Sequence, residues 1–252
     1  MGLLNTGSPF YIAKEYERMV QMKQEGKFIL MSREELKDYI QGVGGCKKFT
    51  NIQQHHTASP AYKDFKGNHI ALMKSMENYH VGNLKMSEIA QHFSTFPDGT
   101  ICVGRPLTKD GGGFLSPGNK DSITIENVGN FDTDTMTEEQ KQSIILLNAL
   151  LCKKFSIIPS TSTLIYHYWV QNKSCPGTRY FGGNSRQAAE KGFIPLIKAA
   201  VENLMTYEEA LKIVAGKAGT SYEFWLRKRG IDPSFEALII KIAKSYGGRQ
   251  DG

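Results

Sequence analysis

FSTFPDGTICVG, residues Phe93 to Gly104, reads as a β-hairpin and decides how the chain is organised. Asp98 and Gly99 suit a tight turn after Pro97, and the β-branched residues on either side suit strands over Phe93 to Phe96 and Thr100 to Gly104. Upstream, Ile70, Met73, Met76 and His80 recur at helical spacing over His69 to Val81. Before that helix, Phe49 to His56 is a short, polar strand whose role is to carry His55 and His56 to a strand end. Downstream, the glycine-rich stretch Lys109 to Lys120 reads as a cleft wall or a plain connection. Ser122 to Val128 is a strand with Ile123 and Ile125 on one face and Thr124 and Glu126 on the other. Thr137 with Gln140 predicts a capping box and a helix to Phe155, striped by Ile144, Leu147 and Leu151. A buried strand over Thr163 to His167, a loop over Asn172 to Gly183 and a helix over Ser185 to Leu204 complete the pattern. Strands alternating with helices, one hairpin included, predict an α/β fold with a central mixed sheet flanked by helices.

The two ends differ from this middle. The first forty residues read as helices, with an apolar stripe over Tyr11 to Lys23 and a capping box from Ser32 to Glu35 ahead of Leu36, Tyr39 and Ile40. From Thr206 onward three helix starts follow one another, at Thr206 with Glu209, Thr220 with Glu223, and Asp232 before Pro233. The expected division is an N-terminal helical extension (1–45), a main α/β domain (46–204) and a small all-helical C-terminal module (205–252). The aromatic cluster Tyr222, Phe224 and Trp225 gives that module two readings, a targeting surface or a helical cap with the aromatics as its core.

Composition narrows the class. Of 252 residues, 40% are hydrophobic and 22% charged, which is ordinary for a self-folding globular chain. A net charge of +6 favours anionic polymers, cell-wall polymers among them, but no basic run or basic helix marks a nucleic-acid binder. No apolar run approaches the length of a membrane span, so membrane insertion is not expected. Cys46, Cys102, Cys152 and Cys175 form no CxxC pair and no dense disulfide pattern. Met1 to Ile12 lacks the basic and apolar regions of a signal peptide, so synthesis in the cytoplasm without an export signal is expected.

Strand ends carry two histidines, His55 and His167, and Cys175 lies eight residues beyond the second. A catalytic zinc site takes three protein ligands of N or S type and leaves one position open, a geometry that separate strand ends can supply. Taken singly, each residue has an ordinary reading: a surface histidine, a buried hydrogen-bonding histidine, an inert small thiol. Alternation along the strand does not separate His55 from His56.

The combination resembles a known family. QHHTASP (54–60), IAQHFSTFPDGTICVGRP (89–106), ITIENVGNFD (123–132) and YHYWVQNKSCPGTRYF (166–181) are similar, in order, to the zinc N-acetylmuramoyl-L-alanine amidases of phage endolysins, relatives of peptidoglycan-recognition proteins. The resemblance runs from Phe49 to Leu204, and its most specific element is His-x5-Lys-x-Cys-Pro beginning at His167. It implies a Zn2+ cofactor on His55, His167 and Cys175, an active-site Lys173, and Glu126 as the carboxylate that takes a proton from water. His56 then supports the site or touches substrate. Gln91 stands where many members carry a tyrosine near the zinc; it can donate a hydrogen bond to a carbonyl oxygen but cannot act as an acid. His80 and His92 read as structural. The implied activity is hydrolysis of the bond between N-acetylmuramic acid and L-alanine in bacterial peptidoglycan, by an endolysin or autolysin acting on the wall after release. The alternative is a non-catalytic peptidoglycan-binding protein on the same fold, whose usual mark, loss of the cysteine ligand, is missing here. A zinc nucleobase deaminase would need Pro-Cys-x-x-Cys and His-x-Glu, and neither occurs.

Overall fold

The computed structural model describes residues 23–114, 118–223 and 233–247. The chain divides into two compact units, residues 1–198 and 199–252.

The first unit is built on a seven-stranded mixed sheet in the order β1-β2-β5-β4-β6-β3-β7. Its strands are β1 (Lys23–Glu25), β2 (Phe28–Met31), β3 (Asn51–His56), β4 (Phe93–Thr95), β5 (Ile101–Val103), β6 (Ser122–Asn127) and β7 (Leu164–Tyr166). The predicted hairpin is β4 and β5, antiparallel, with Thr95 opposite Ile101. Beyond it β4, β6, β3 and β7 run parallel, so their carboxyl ends share one edge. Helix α1 (Arg33–Gly42) starts at Ser32 with the reciprocal Ser32 and Glu35 bonds the sequence predicts. Helices α2 (His69–Gly82), α3 (Glu138–Phe155) and α4 (Arg186–Gly192) flank the sheet, and α5 (Ile194–Asn203) runs across the division between the two units.

β3 is polar in sequence yet its Gln53 and Gln54 are fully buried. Each amide is satisfied, which is what lets a polar strand occupy the sheet interior. Gln54 Nε2 donates to Asn148 Oδ1 of α3 at 2.7 Å, and its Oε1 accepts from Tyr180 OH at 3.0 Å. Gln53 Oε1 accepts from Thr124 Oγ1 at 2.9 Å on the alternate face, the face of His55. On α2, Ile70, Leu72, Met73 and Met76 pack with Phe28, Leu30, Ile89 and Phe96.

Three expectations are corrected. Residues 23–31, expected to be helical, form the antiparallel pair β1 and β2, turning at Gly26 with φ +61°. Gln140 does not return to Thr137 in a capping box; its buried amide instead donates to Thr95 O and Val128 O, both at 3.0 Å, while Thr137 alone caps α3. The helix expected over Ser185 to Leu204 is two, α4 and α5, separated at Phe193. Pro195 has no N–H to continue the ladder back to Lys191, which breaks the helix there.

The second unit holds α6 (Tyr207–Ala218), opened by the predicted Thr206 and Glu209 capping box, and α7 (Pro233–Gly247). Tyr207, Leu211 and Val214 of α6 pack with Ile239 and Ala243 of α7, and Tyr222 lies against this cluster. Phe224, Trp225 and Asp232 lie outside the described residues, as does the stripe expected from Tyr11 up to Met22. No described helix is long and apolar enough to cross a membrane.

Candidate metal centre and cleft

The shared carboxyl edge of the parallel strands gathers the residues singled out in the sequence. His55 sits at the end of β3, and His167 follows β7 as the first residue of a 3-10 turn (His167–Trp169). Tyr168 N–H donates to Cys175 O at 2.6 Å, which folds the following loop back towards His167. Asp132 fixes that loop from the other side, accepting from Ser174 Oγ at 2.5 Å and Thr178 N–H at 2.8 Å. Ligands in parallel-sheet folds bind outside strand carboxyl ends, and this cleft lies there.

His55 Nδ1 lies 3.0 Å from His167 Nδ1 and 3.6 Å from Cys175 Sγ. All three residues are buried, and their ligand-type atoms lie within 4.8 Å of one another. His167 Nε2 hydrogen-bonds Gln171 Oε1, an acceptor, so the proton sits on Nε2 and the Nδ1 lone pair points at His55. Burial drives both imidazoles below their ordinary pKa, aided for His55 by His167, His56 and Lys173 and for His167 by Lys173. Burial, then the Glu126 charge, pushes the Cys175 thiol up. The His56 N–H bond and the Lys173 charge act in the opposite sense, towards the thiolate, without offsetting burial.

Two of these spacings come close to those around a tetrahedral metal. Zinc bonded to nitrogen at about 2.05 Å and sulfur at about 2.3 Å separates N from S by about 3.6 Å and N from N by about 3.4 Å. The His55 to Cys175 spacing of 3.6 Å meets that, and the ring nitrogens at 3.0 Å stand slightly closer.

His55, His56, Glu126, His167, Lys173 and Cys175 line one cleft of about 360 Å³. Glu126 pairs in register with His55 across the parallel ladder, so both end at the same level. Its partly buried carboxyl is raised to about 8 by burial, with Lys173 acting in the opposite sense. His56 is distinguished from His55 by its partner: its Nδ1 accepts from Phe131 N–H at 3.1 Å, and burial lowers it to about 4. A second groove of about 700 Å³, reaching to Asp64, shares Thr57, Ala58, Tyr79, His80 and Glu126 with the first.

Gln91 is the exception. It is fully buried, its Nε2 donates to Ser94 Oγ at 3.0 Å and faces Met76 Sδ, and it does not line the cleft. The substrate contact expected of it is not made from there, because the side chain turns into the α2 interface. His92 is structural as expected, with Nε2 on Lys109 O and Nδ1 accepting from Thr124 N–H, both at 3.0 Å. His80 Nδ1 accepts from Ala90 N–H at 3.1 Å, but its side of α2 also borders the cleft. Within the glycine-rich stretch Gly112 and Gly113 line the cleft, which favours the wall reading. Sequence reasoning missed Gln171, although its position four residues after His167 places both on one turn.

Fold and site together define an α/β protein with a buried His-His-Cys cluster opening into a cleft at the carboxyl edge of a mixed sheet. The chain belongs to the N-acetylmuramoyl-L-alanine amidase family, whose profile matches residues 46–178. Peptidoglycan-recognition protein SC2 of Drosophila simulans is 32% identical over 126 residues, 49% of this chain and 66% of the relative. The chain thus spans just under two thirds of that protein. Peptidoglycan-recognition protein SC1a of Drosophila melanogaster is 30% identical over 138 residues, 54% of this chain and 71% of the relative. Among solved structures, the endolysin N-acetylmuramoyl-L-alanine amidase LysCS from Clostridium intestinale URNW aligns with 26% identity and a TM-score of 0.46, covering 57% of this chain and 83% of its own.

Proposed function

We propose that this protein is a zinc-dependent N-acetylmuramoyl-L-alanine amidase that hydrolyses the amide between N-acetylmuramic acid and L-alanine in bacterial peptidoglycan, as an endolysin does. The observation that carries this reading is the convergence of His55 Nδ1, His167 Nδ1 and Cys175 Sγ in a cleft that also presents Glu126 and Lys173. Family membership and the peptidoglycan-recognition relatives support peptidoglycan as the partner.

His55, His167 and Cys175 would hold the zinc. Bound there, zinc supplies Lewis-acid chemistry, acidifying water and polarising a carbonyl. Glu126, with a pKa near 8, exchanges protons in both directions around neutral pH. Its carboxylate oxygen accepts the proton of the attacking water, and the resulting acid returns it to the departing L-alanine nitrogen. Lys173 faces the same cleft and stabilises negative charge growing on the carbonyl oxygen. His56, neutral and held by Phe131 N–H, offers a fixed contact to the substrate. The groove towards Asp64 provides room for the stem peptide. Retention of Cys175 favours the enzyme over a pure binding module.

Metal analysis of the purified protein tests this: about one zinc per chain is expected, with wall lysis abolished by chelation. Zinc-free protein that lyses walls regardless of chelator would overturn the proposal.

A further inference from the structure

We infer that Phe114 and Asn119 form a positioning clasp for the imidazoles of His55 and His167, holding by packing the back edge of the His55 ring, whose Nε2 has no hydrogen-bond partner among the described residues. The inference rests on reading His55, His167 and Cys175 as metal ligands. A metal-binding histidine ordinarily has its second ring nitrogen tied to a protein group, which sets the ring rotation. His167 follows that rule through Gln171. His55 does not: its Nε2 is buried and, among the described residues, has no hydrogen-bond partner.

What surrounds the His55 ring instead is the glycine-rich stretch. A Cβ on Gly113 would fall 2.4 Å from His55 Nε2 and 2.7 Å from Gln53 Oε1, so the backbone here abuts the back edge of the ring. The next residue, Phe114, is 8% exposed and sets its ring 5.3 Å from the His55 ring and 5.5 Å from that of His167, centre to centre. One apolar side chain therefore touches both imidazoles.

Phe114 is held in turn by its own backbone. Its N–H donates to Asn119 Oδ1 at 2.8 Å and its carbonyl accepts from Asn119 Nδ2 at 2.6 Å, a two-point amide pair across five residues. Gln53, on the His55 face of β3, donates to Gly118 O at 3.1 Å and Asn119 Oδ1 at 3.3 Å. Thr124 of β6 closes the line by donating to Gln53 Oε1. The order of β3 and β6 is thereby passed through Gln53 and Asn119 to Phe114, and from Phe114 to the two rings. Without the clasp His55 can rotate about its side-chain bonds, and metal held by it escapes faster.

The test is metal dissociation, followed by transfer to a chromophoric chelator, and the visible absorption of the cobalt-substituted protein. Asn119→Ala and Phe114→Ala are expected to raise the dissociation rate about 10- to 100-fold and to shift the cobalt bands, with Phe114→Leu recovering part of the loss. Dissociation rates and spectra within two- to threefold of the unsubstituted protein for Asn119→Ala and Phe114→Leu would overturn the clasp, and these two decide if Phe114→Ala does not fold. If the unsubstituted protein takes up neither zinc nor cobalt, the metal reading fails and the clasp with it; if it takes up metal and the variants match it, the clasp alone fails.

Discussion

Under the proposed function, single residues divide into those that do chemistry and those that hold them. Glu126→Gln keeps shape and hydrogen-bonding reach but removes the proton acceptor. Turnover should therefore fall about 100- to 10,000-fold with zinc content unchanged, as read by kcat and metal analysis on the same preparation. A carboxylate that merely decorated the sheet would cost about 1 kcal/mol of stability or less and leave turnover intact. Cys175→Ser should lose most of its metal, because a hydroxyl is a far poorer zinc ligand than a thiolate, and equilibrium dialysis reads this directly. His92 gives a pH signature away from the proposed metal ligands. Burial lowers it from 6.5 to about 4, and its neutral ring accepts from Thr124 N–H. The folded value lies below the unfolded one, so its contribution is complete above pH 6.5 and is lost as pH falls towards 4. A melting temperature that declines across that window, and declines less in His92→Gln, is the expected result; an identical decline in both would remove His92 as a source.

At the level of elements, the sequence made legible those whose local chemistry agrees with their tertiary role. The Asp98-Gly99 turn, the Ser32 to Glu35 box and the Thr206 to Glu209 box all stand where the local pattern puts them. The strand β1 was not legible because Lys23 to Glu25 is polar and exposed throughout, an edge strand without alternation, and β2 is a continuous apolar run that periodicity cannot distinguish from a buried helix. Gln140 was misread for a related reason: the local motif predicts a cap, whereas tertiary contacts with Thr95 and Val128 take the side chain inward. This difference is measurable. Thr137→Ala removes only a cap and should cost about 1 kcal/mol. Gln140→Ala removes the donor to the Val128 carbonyl and one of two donors to Thr95 O, which keeps the Val128 N–H, and should cost about 2 to 4 kcal/mol by denaturant midpoint. Equal costs would mean that Gln140 contributes nothing beyond the helix end. Within the site, the two strand-end histidines were accessible to motif reasoning, but which of His55 and His56 faces the cluster depends on the Phe131 N–H, and the place of Gln91 depends on Met76, both distant in sequence.

The whole molecule combines a cleft unit with a helical unit that has its own core of Tyr207, Leu211, Val214 and Ile239. We propose that this second unit targets the enzyme to the wall. A chain ending at Asn203 should then hydrolyse soluble muropeptides at an unchanged rate while sedimenting less with intact cell walls, and unchanged sedimentation would reject the targeting role. Cleavage of the amide between N-acetylmuramic acid and L-alanine in this cleft is our proposal. It is tested most directly by mass spectrometry of purified peptidoglycan digested with the zinc-loaded protein, with and without chelator. The expected products are intact stem peptides bearing a free L-alanine amino group and glycan chains stripped of peptide, absent under chelation and restored by added zinc. Peptidoglycan that is bound but left uncut by the zinc-loaded protein would contradict the account and make the cleft a receptor site.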